Sequence, residues 1–188
     1  MSDAKRFPVI QIVLAAFFAA LSAALSQIAI PLGEVPIVLT QVSILLAGGL
    51  LGWKWGTVSQ LVFVCLGMLG APVFQGFSGG MGVLWGPTGG FIMGYILSAF
   101  TAGLLCDRLG RGKALVPVLV LADLVVYIPG VPWLMHVTGL GFKAALAAGL
   151  WPFLPADALK IVLAAILIPM LSGVLHKSKA PAAVQEGS

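Results

Sequence analysis

The sharpest chemistry in this sequence lies at Asp157 and Lys160, an acid and a base three residues apart. On a helix that spacing puts both side chains on one face, within reach of each other. They stand in a long apolar run, where each charge costs about 2.5–3.5 kcal/mol at mid-bilayer on insertion scales. A plain account makes Asp157 an acid at a helix start and Lys160 a snorkelling cation. A functional account makes them a polar clamp for a small solute, and charges held inside a membrane favour that account. Asp123, in the preceding apolar run, is the other intramembrane ion. It could join the clamp, pair with Lys160 across helices, or serve proton movement.

Three weaker motifs compete for attention. Gly76-Phe77-Ser78-Gly79-Gly80 fits G-x-S-x-G and the G-x-S-G of membrane serine proteases, and His136 could lie on the same side. A nucleophile elbow needs a strand–turn–helix setting, which is missing here, so no catalytic residue is expected. Thr88, in Gly86-Pro87-Thr88-Gly89-Gly90, is an expected helix N-cap whose free amides could meet an anion. Small residues recur at helical spacing near the start: Ala16, Ala20 and Ala24 on one line, with Ala15, Ala19, Ser22 and Ser26 beside it. Such lines let helix backbones approach closely in lipid, either within the chain or against a second membrane protein. Two cysteines, Cys65 and Cys106, and two scattered histidines offer no metal spacing, and both thiols are expected to be free. No Walker A or kinase loop is present, so the chain carries no nucleotide site of its own.

The elements that must position these groups are apolar helices. Hydrophobic runs cover 9–30, 37–51, 55–71, 88–106, 114–135 and 153–175, the second short and weakened by Gly48 and Gly49. The first run, 22 residues, exceeds the roughly 7–15 of a signal peptide core and is expected to be an uncleaved span. Pro117, Pro129 and Pro132 predict a bend in the fifth. A short helix is expected over 142–150. Hydrophobic residues make up 60% and charged ones 9%, far below the roughly 25% charged of soluble domains. The fold class is therefore an all-α integral membrane protein, a bundle of about six helices with a long ordered loop at 72–87. The expected organisation is an N-terminal segment (1–8), one membrane domain (9–175) and a polar tail (176–188).

With six spans, Lys5, Arg6, Lys54, Arg108, Arg111, Lys113, Lys177 and Lys179 share one side, whereas Lys143 alone marks the other. The excess of Lys and Arg predicts that both termini are cytoplasmic in a multi-pass protein of the cell membrane. Segments 31–36, 72–87 and 136–152 then face outward. The loop 72–87 cannot lie bare in lipid, so it must cap the bundle or line a cavity. The basic balance reads as topology, and no nucleic acid, metal or cofactor is expected.

Several stretches together resemble the BioY family, the biotin-specific S components of energy-coupling factor transporters. They are Ile30-Pro31-Leu32-Gly33 and Val35-Pro36-Ile37 leading into Leu39-Thr40-Gln41; Leu66-Gly67 to Gly70-Ala71-Pro72-Val73-Phe74; Ser78-Gly79-Gly80-Met81-Gly82 with Gly86-Pro87-Thr88-Gly89-Gly90-Phe91; and Pro132-Trp133-Leu134, then Leu150-Trp151-Pro152-Phe153-Leu154-Pro155 running to Asp157 and Lys160. Phe91 stands where the family often has Tyr, and it lacks that hydroxyl. The resemblance implies capture of biotin from the outer side, with Asp157 and Lys160 as polar contacts and Gln41, Trp85 and Tyr127 as further lining residues. It also implies a coupling membrane subunit and separate ATPase subunits, with Ala16, Ala20 and Ala24 as the docking candidate, besides contact with membrane lipid. The competing readings are an intramembrane serine hydrolase or protease built on Ser78, and a solute channel through the bent fifth span.

Overall fold

A computed structural model describes residues 3–31 and 34–177 of the chain, with side chains over 9–31 and 34–173. The side chains of Lys5, Arg6 and Lys177, residues Leu32 and Gly33, and the expected polar tail beyond 177 lie outside the described residues. Helix α1 (Asp3–Ser26) leads into strand β1 (Ala29–Ile30), which pairs antiparallel with β2 (Ile37–Val38). The first span thus stops at Ser26, four residues before the apolar run does, because Ala29 and Ile30 place their backbone groups in the hairpin. Next come α2 (Thr40–Met68), a 3-10 turn (Gln75–Phe77), α3 (Met81–Trp85), α4 (Gly89–Leu109), α5 (Leu115–Leu124), α6 (Tyr127–Thr138), α7 (Phe142–Gly149) and α8 (Leu154–Lys177).

Among the described residues, four stretches are long and apolar enough to cross a membrane: Val9–Ser26, Gly89–Leu109, Leu115–Thr138 and Leu154–Gly173. The expected second and third spans are joined as α2, which breaks at Gly52 (φ 79°, ψ 178°). A Cβ on Gly56 would stand 2.8 Å from the Gly48 Cα, so the arms before and after the break fold back on each other at two glycines. At 1.5 Å per residue the arms are about 18 and 24 Å long, short of a bilayer's roughly 30 Å core. Gly48 and Gly49 therefore do not abolish the second run as a helix. They are where α4 and α8 pack closely on it: a Cβ on Gly48 would lie 2.5 Å from the Ala99 carbonyl, and one on Gly49 2.5 Å from Ile168 Cδ1.

The backbone groups freed at the break are met by α4 and the residues after it. Asp107 Oδ2 accepts from Trp53 N–H at 3.1 Å, and Arg111 Nε donates to the Gly49 carbonyl at 2.6 Å. The fifth span is interrupted as its prolines predict. Pro129 has no N–H for the Val125 carbonyl, and the helical ladder breaks between α5 and α6 while Val125 and Val126 keep right-handed helical dihedrals. The core gathers Leu45, Leu119, Ala122, Ala164 and Ile168 at the junction of α2, α5 and α8, and a second cluster packs Phe91, Val126, Leu134 and Phe153 under the hairpin.

Candidate functional site

Asp157 falls in the first turn of α8, and Lys160 follows one turn later, both turned inward. Their rotation buries them to 5% and 4% exposure, which no snorkelling lysine would show. Lys160 Nζ donates to Asp157 Oδ1 at 2.9 Å, and the Tyr127 hydroxyl, at the start of α6, donates to Asp157 Oδ2. A buried ion pair is tolerable when further hydrogen bonds fill its remaining positions, and Tyr127 supplies one.

These groups line a chamber of about 390 Å³ between the start of α2, α4, the α5–α6 junction, α8 and the hairpin. Gln41 faces it from the first turn of α2, with its amide nitrogen donating to Ser98 Oγ on α4 at 2.9 Å. Asp123 faces it from the end of α5. Val38, Phe91, Val126 and Phe153 give apolar wall, and Val35 and Pro36 close it from the hairpin loop. A second chamber of about 460 Å³ shares Val35, Pro36, Val38, Phe91 and Tyr95 with the first, and adds hydroxyls from Ser26, Thr40, Ser78 and Thr88. Thr40 Oγ1 is buried there with no hydrogen-bond partner among the described residues. Such a group is costly unless something else supplies the bond.

The loop at 72–87 is held in place by the end of α1. Ser26 Oγ donates to the Val73 carbonyl at 2.5 Å, Gln27 Nε2 donates to the Phe74 carbonyl at 3.0 Å, and Gln27 Oε1 accepts from Phe77 N–H at 2.8 Å. Phe74 is buried against Gly67, where a Cβ would meet its ring at 2.1 Å. The loop therefore walls the second chamber, one of the two roles open to it in lipid.

Of the residues singled out from the sequence, the fold brings Asp157, Lys160, Gln41 and Tyr127 to one chamber, and Asp123 with them. Trp85 stands apart. It is 66% exposed, packs on Trp133 with ring centroids 5.8 Å apart, and lines neither chamber. Ser78 donates to the Gln75 carbonyl at 2.7 Å, while His136 stacks on Trp133, so no serine–histidine dyad forms between them. Thr88 precedes α4 without a side-chain capping bond, contrary to expectation: its own dihedrals are already helical, and its hydroxyl-bearing side chain lines the second chamber. Cys65 and Cys106 are free, as expected. Among the polar lining residues, Tyr95 and Gln75 were not picked out beforehand, and Thr40 entered only within a longer matching stretch. Tyr95 lies one helical turn beyond Phe91 and is detectable by that i, i+4 spacing. Thr40 is detectable only as the neighbour of Gln41.

Comparison with known proteins places this geometry. The family model of the BioY family matches residues 1–177. The chain is 39% identical over 163 residues to a protein of Pyrococcus horikoshii named probable biotin transporter BioY, covering 87% of this chain and 96% of that one. It is 36% identical over 157 residues to the biotin transporter BioY of Thermotoga maritima, covering 84% and 92%. Its fold matches the crystal structure of the S-component for biotin from an ECF-type ABC transporter with a TM-score of 0.83 at 29% identity, covering 91% of this chain and 94% of that one. With a membrane bundle, a buried acid–lysine pair and this match over nearly the whole described chain, the protein is a multi-pass membrane protein that belongs to the BioY family.

Proposed function

We propose that this chain captures biotin in the paired chambers and passes it to separate energising subunits for ATP-driven uptake. The observation that carries the reading is the buried Asp157–Lys160–Tyr127 set facing a partly open, mostly apolar chamber. Biotin's cyclic urea has two N–H donors and one strong carbonyl acceptor, which a carboxylate and an ammonium complement. Its sulfur ring and alkyl chain suit the walls of Phe91, Phe153 and Val38. Its carboxylate needs donors, and the unpartnered Thr40 hydroxyl with Thr88 offers them in the second chamber. The names of the relatives and of the matching crystal structure support the same ligand.

Calorimetry of the detergent-purified protein tests the reading directly. Biotin should bind at one site per chain, and thiamine and riboflavin should give no heat. Saturable binding of either of those two without biotin binding would overturn it.

The orientation belongs to the same reading. Capture from outside requires the chambers to open outward, and the crowding of Lys and Arg at the opposite end supports cytoplasmic termini. A phosphatase active only in the periplasm, fused after Ser188, should be silent. Strong activity would turn the chambers to the wrong side. Partner subunits enter because the chain has no nucleotide motif, and the line Ala16, Ala20 and Ala24 is the proposed contact with the coupling membrane subunit.

A further inference from the structure

Asp123 closes α5 and is only 3% exposed, yet it lines the chamber that holds Asp157 and Lys160. Two carboxyl groups therefore converge on one chamber from two helices, against one ammonium. That ammonium is committed: the pair within ion-pair distance is Lys160 with Asp157. Asp157 also has both oxygens engaged, one by Lys160 and the other by Tyr127. Asp123 instead lines the chamber beside Gln41, whose amide nitrogen donates to Ser98 Oγ on α4 at 2.9 Å. The carboxyl oxygens of Asp123 keep acceptor capacity in either protonation state. A buried acceptor with unspent capacity is costly until a donor arrives.

A cyclic urea presents its two N–H groups on opposite edges of the ring, with the carbonyl between them. Their divergence prevents one carboxylate from receiving both. We propose that Asp123 is the second specificity-determining acceptor of this site: Asp157 receives one ureido N–H and Asp123 the other. The proposal rests on the reading of the chamber as a biotin site. It makes two divergent N–H donors the selected feature of the ligand, so that analogues with one donor lose affinity even when their shape is kept.

The test pairs protein variants with ligands that each lack one donor. The probes are biotin and its two lactam analogues, in which one or the other ureido N–H is replaced by CH2. Calorimetry on the unmodified protein, Asp123→Asn and Asp123→Ser gives the affinities. Each variant should bind biotin about 10- to 100-fold more weakly, as loss of a charge-assisted hydrogen bond implies. Each should lose as much against one lactam, but stay within about threefold of the parent against the other, whose missing donor is the one Asp123 received. Equal losses against all three ligands would mean that Asp123 only supports the fold, and no loss against biotin would remove it from the site; either result overturns the proposal. Should neither variant fold, biotin labelled with 15N at both ureido nitrogens and bound to the unmodified protein decides. Both N–H protons should move strongly downfield, and a single shifted proton overturns the assignment. Failure of the unmodified protein to bind biotin at all would instead bring down the parent reading, a result distinguishable from each of these.

Discussion

At the scale of single residues, the behaviour of the site turns on how Asp157 and Lys160 depend on each other. Each is buried beyond nine-tenths, and each compensates the other's charge across 2.9 Å. Removing one leaves an uncompensated charge in a medium of low dielectric, whereas removing both leaves a neutral gap. Hydrogen bonds to charged groups contribute about 1.5–3 kcal/mol, so Asp157→Asn and Lys160→Ala should each weaken biotin binding roughly 10- to 150-fold. The double change to alanine should cost less than the sum of the single changes. Calorimetric affinities within about threefold of the parent, under 1 kcal/mol, would take the pair out of the site. Tyr127→Phe probes the same carboxylate more gently. It deletes one donor to Asp157, and a loss of about 5- to 20-fold is expected if that bond orients the acid. Spacing alone gave the pairing of 157 with 160, since three residues on a helix must share a face. It could not give Tyr127 as the third member or Asp123 as a neighbour, because both come from helices whose rotation is fixed by packing.

The elements owe their positions to one broken helix. The first arm of α2 carries Thr40 and Gln41 to the chambers at its start and ends where the helix folds back at Gly52, so an error at the break displaces the site. Gly52 has φ 79° and ψ 178°, a region essentially reserved for glycine, and a Cβ there would stand 2.7 Å from Asp107 Oδ2. Gly52→Ala should therefore cost about 2–3 kcal/mol and lower the thermal midpoint in detergent by roughly 5–10 °C. Gly112→Ala is the matched control, since a Cβ there meets nothing within 4 Å. Its midpoint should stay within about 2 °C of the parent. Scanning fluorimetry of the ligand-free proteins compares them, and coincident midpoints would show that the break is not held by glycine. The same element marks the limit of what hydropathy could say. Runs 37–51 and 55–71 announced two apolar helices but not that they join at one residue. That geometry comes from contacts between Gly48 and Gly56 and from Asp107 and Arg111, all distant in sequence or visible only once the helices meet. The prolines of the fifth span were more legible, because their effect is local: Pro129 cannot bond the Val125 carbonyl in any fold.

For the whole molecule, the question is which surface remains for a partner once the chain has folded, and the proposed one lies on α1, whose small residues divide between two faces. Ala15, Ala19, Ser22 and Ser26 are buried, and Ser22 Oγ donates to Ser43 Oγ at 3.0 Å and to Gln60 Oε1 at 3.2 Å on α2. This line is internal packing with polar bonds across the helix pair, as small residues permit in lipid. Ala16, Ala20 and Ala24 are exposed and contribute nothing to that packing. A flat row of alanines pointing away from the core lets a second helix approach to backbone distance without disturbing the first. Ala20→Trp should therefore leave biotin affinity within about threefold of the parent, a change under 1 kcal/mol. It should abolish co-purification with the coupling membrane subunit, because an indole on this row holds the two backbones apart. Ala19→Trp, on the buried line, should behave oppositely: a large ring in a filled interface costs about 1–3 kcal/mol or more and should lower the thermal midpoint of the isolated chain. Co-expression with the coupling and ATPase subunits, followed by affinity capture and calorimetry of the captured chain, reads both properties from one preparation. Intact assembly with Ala20→Trp would mean that the partner meets another face of the bundle, and lost biotin binding in the same variant would mean that the exposed row supports the chambers.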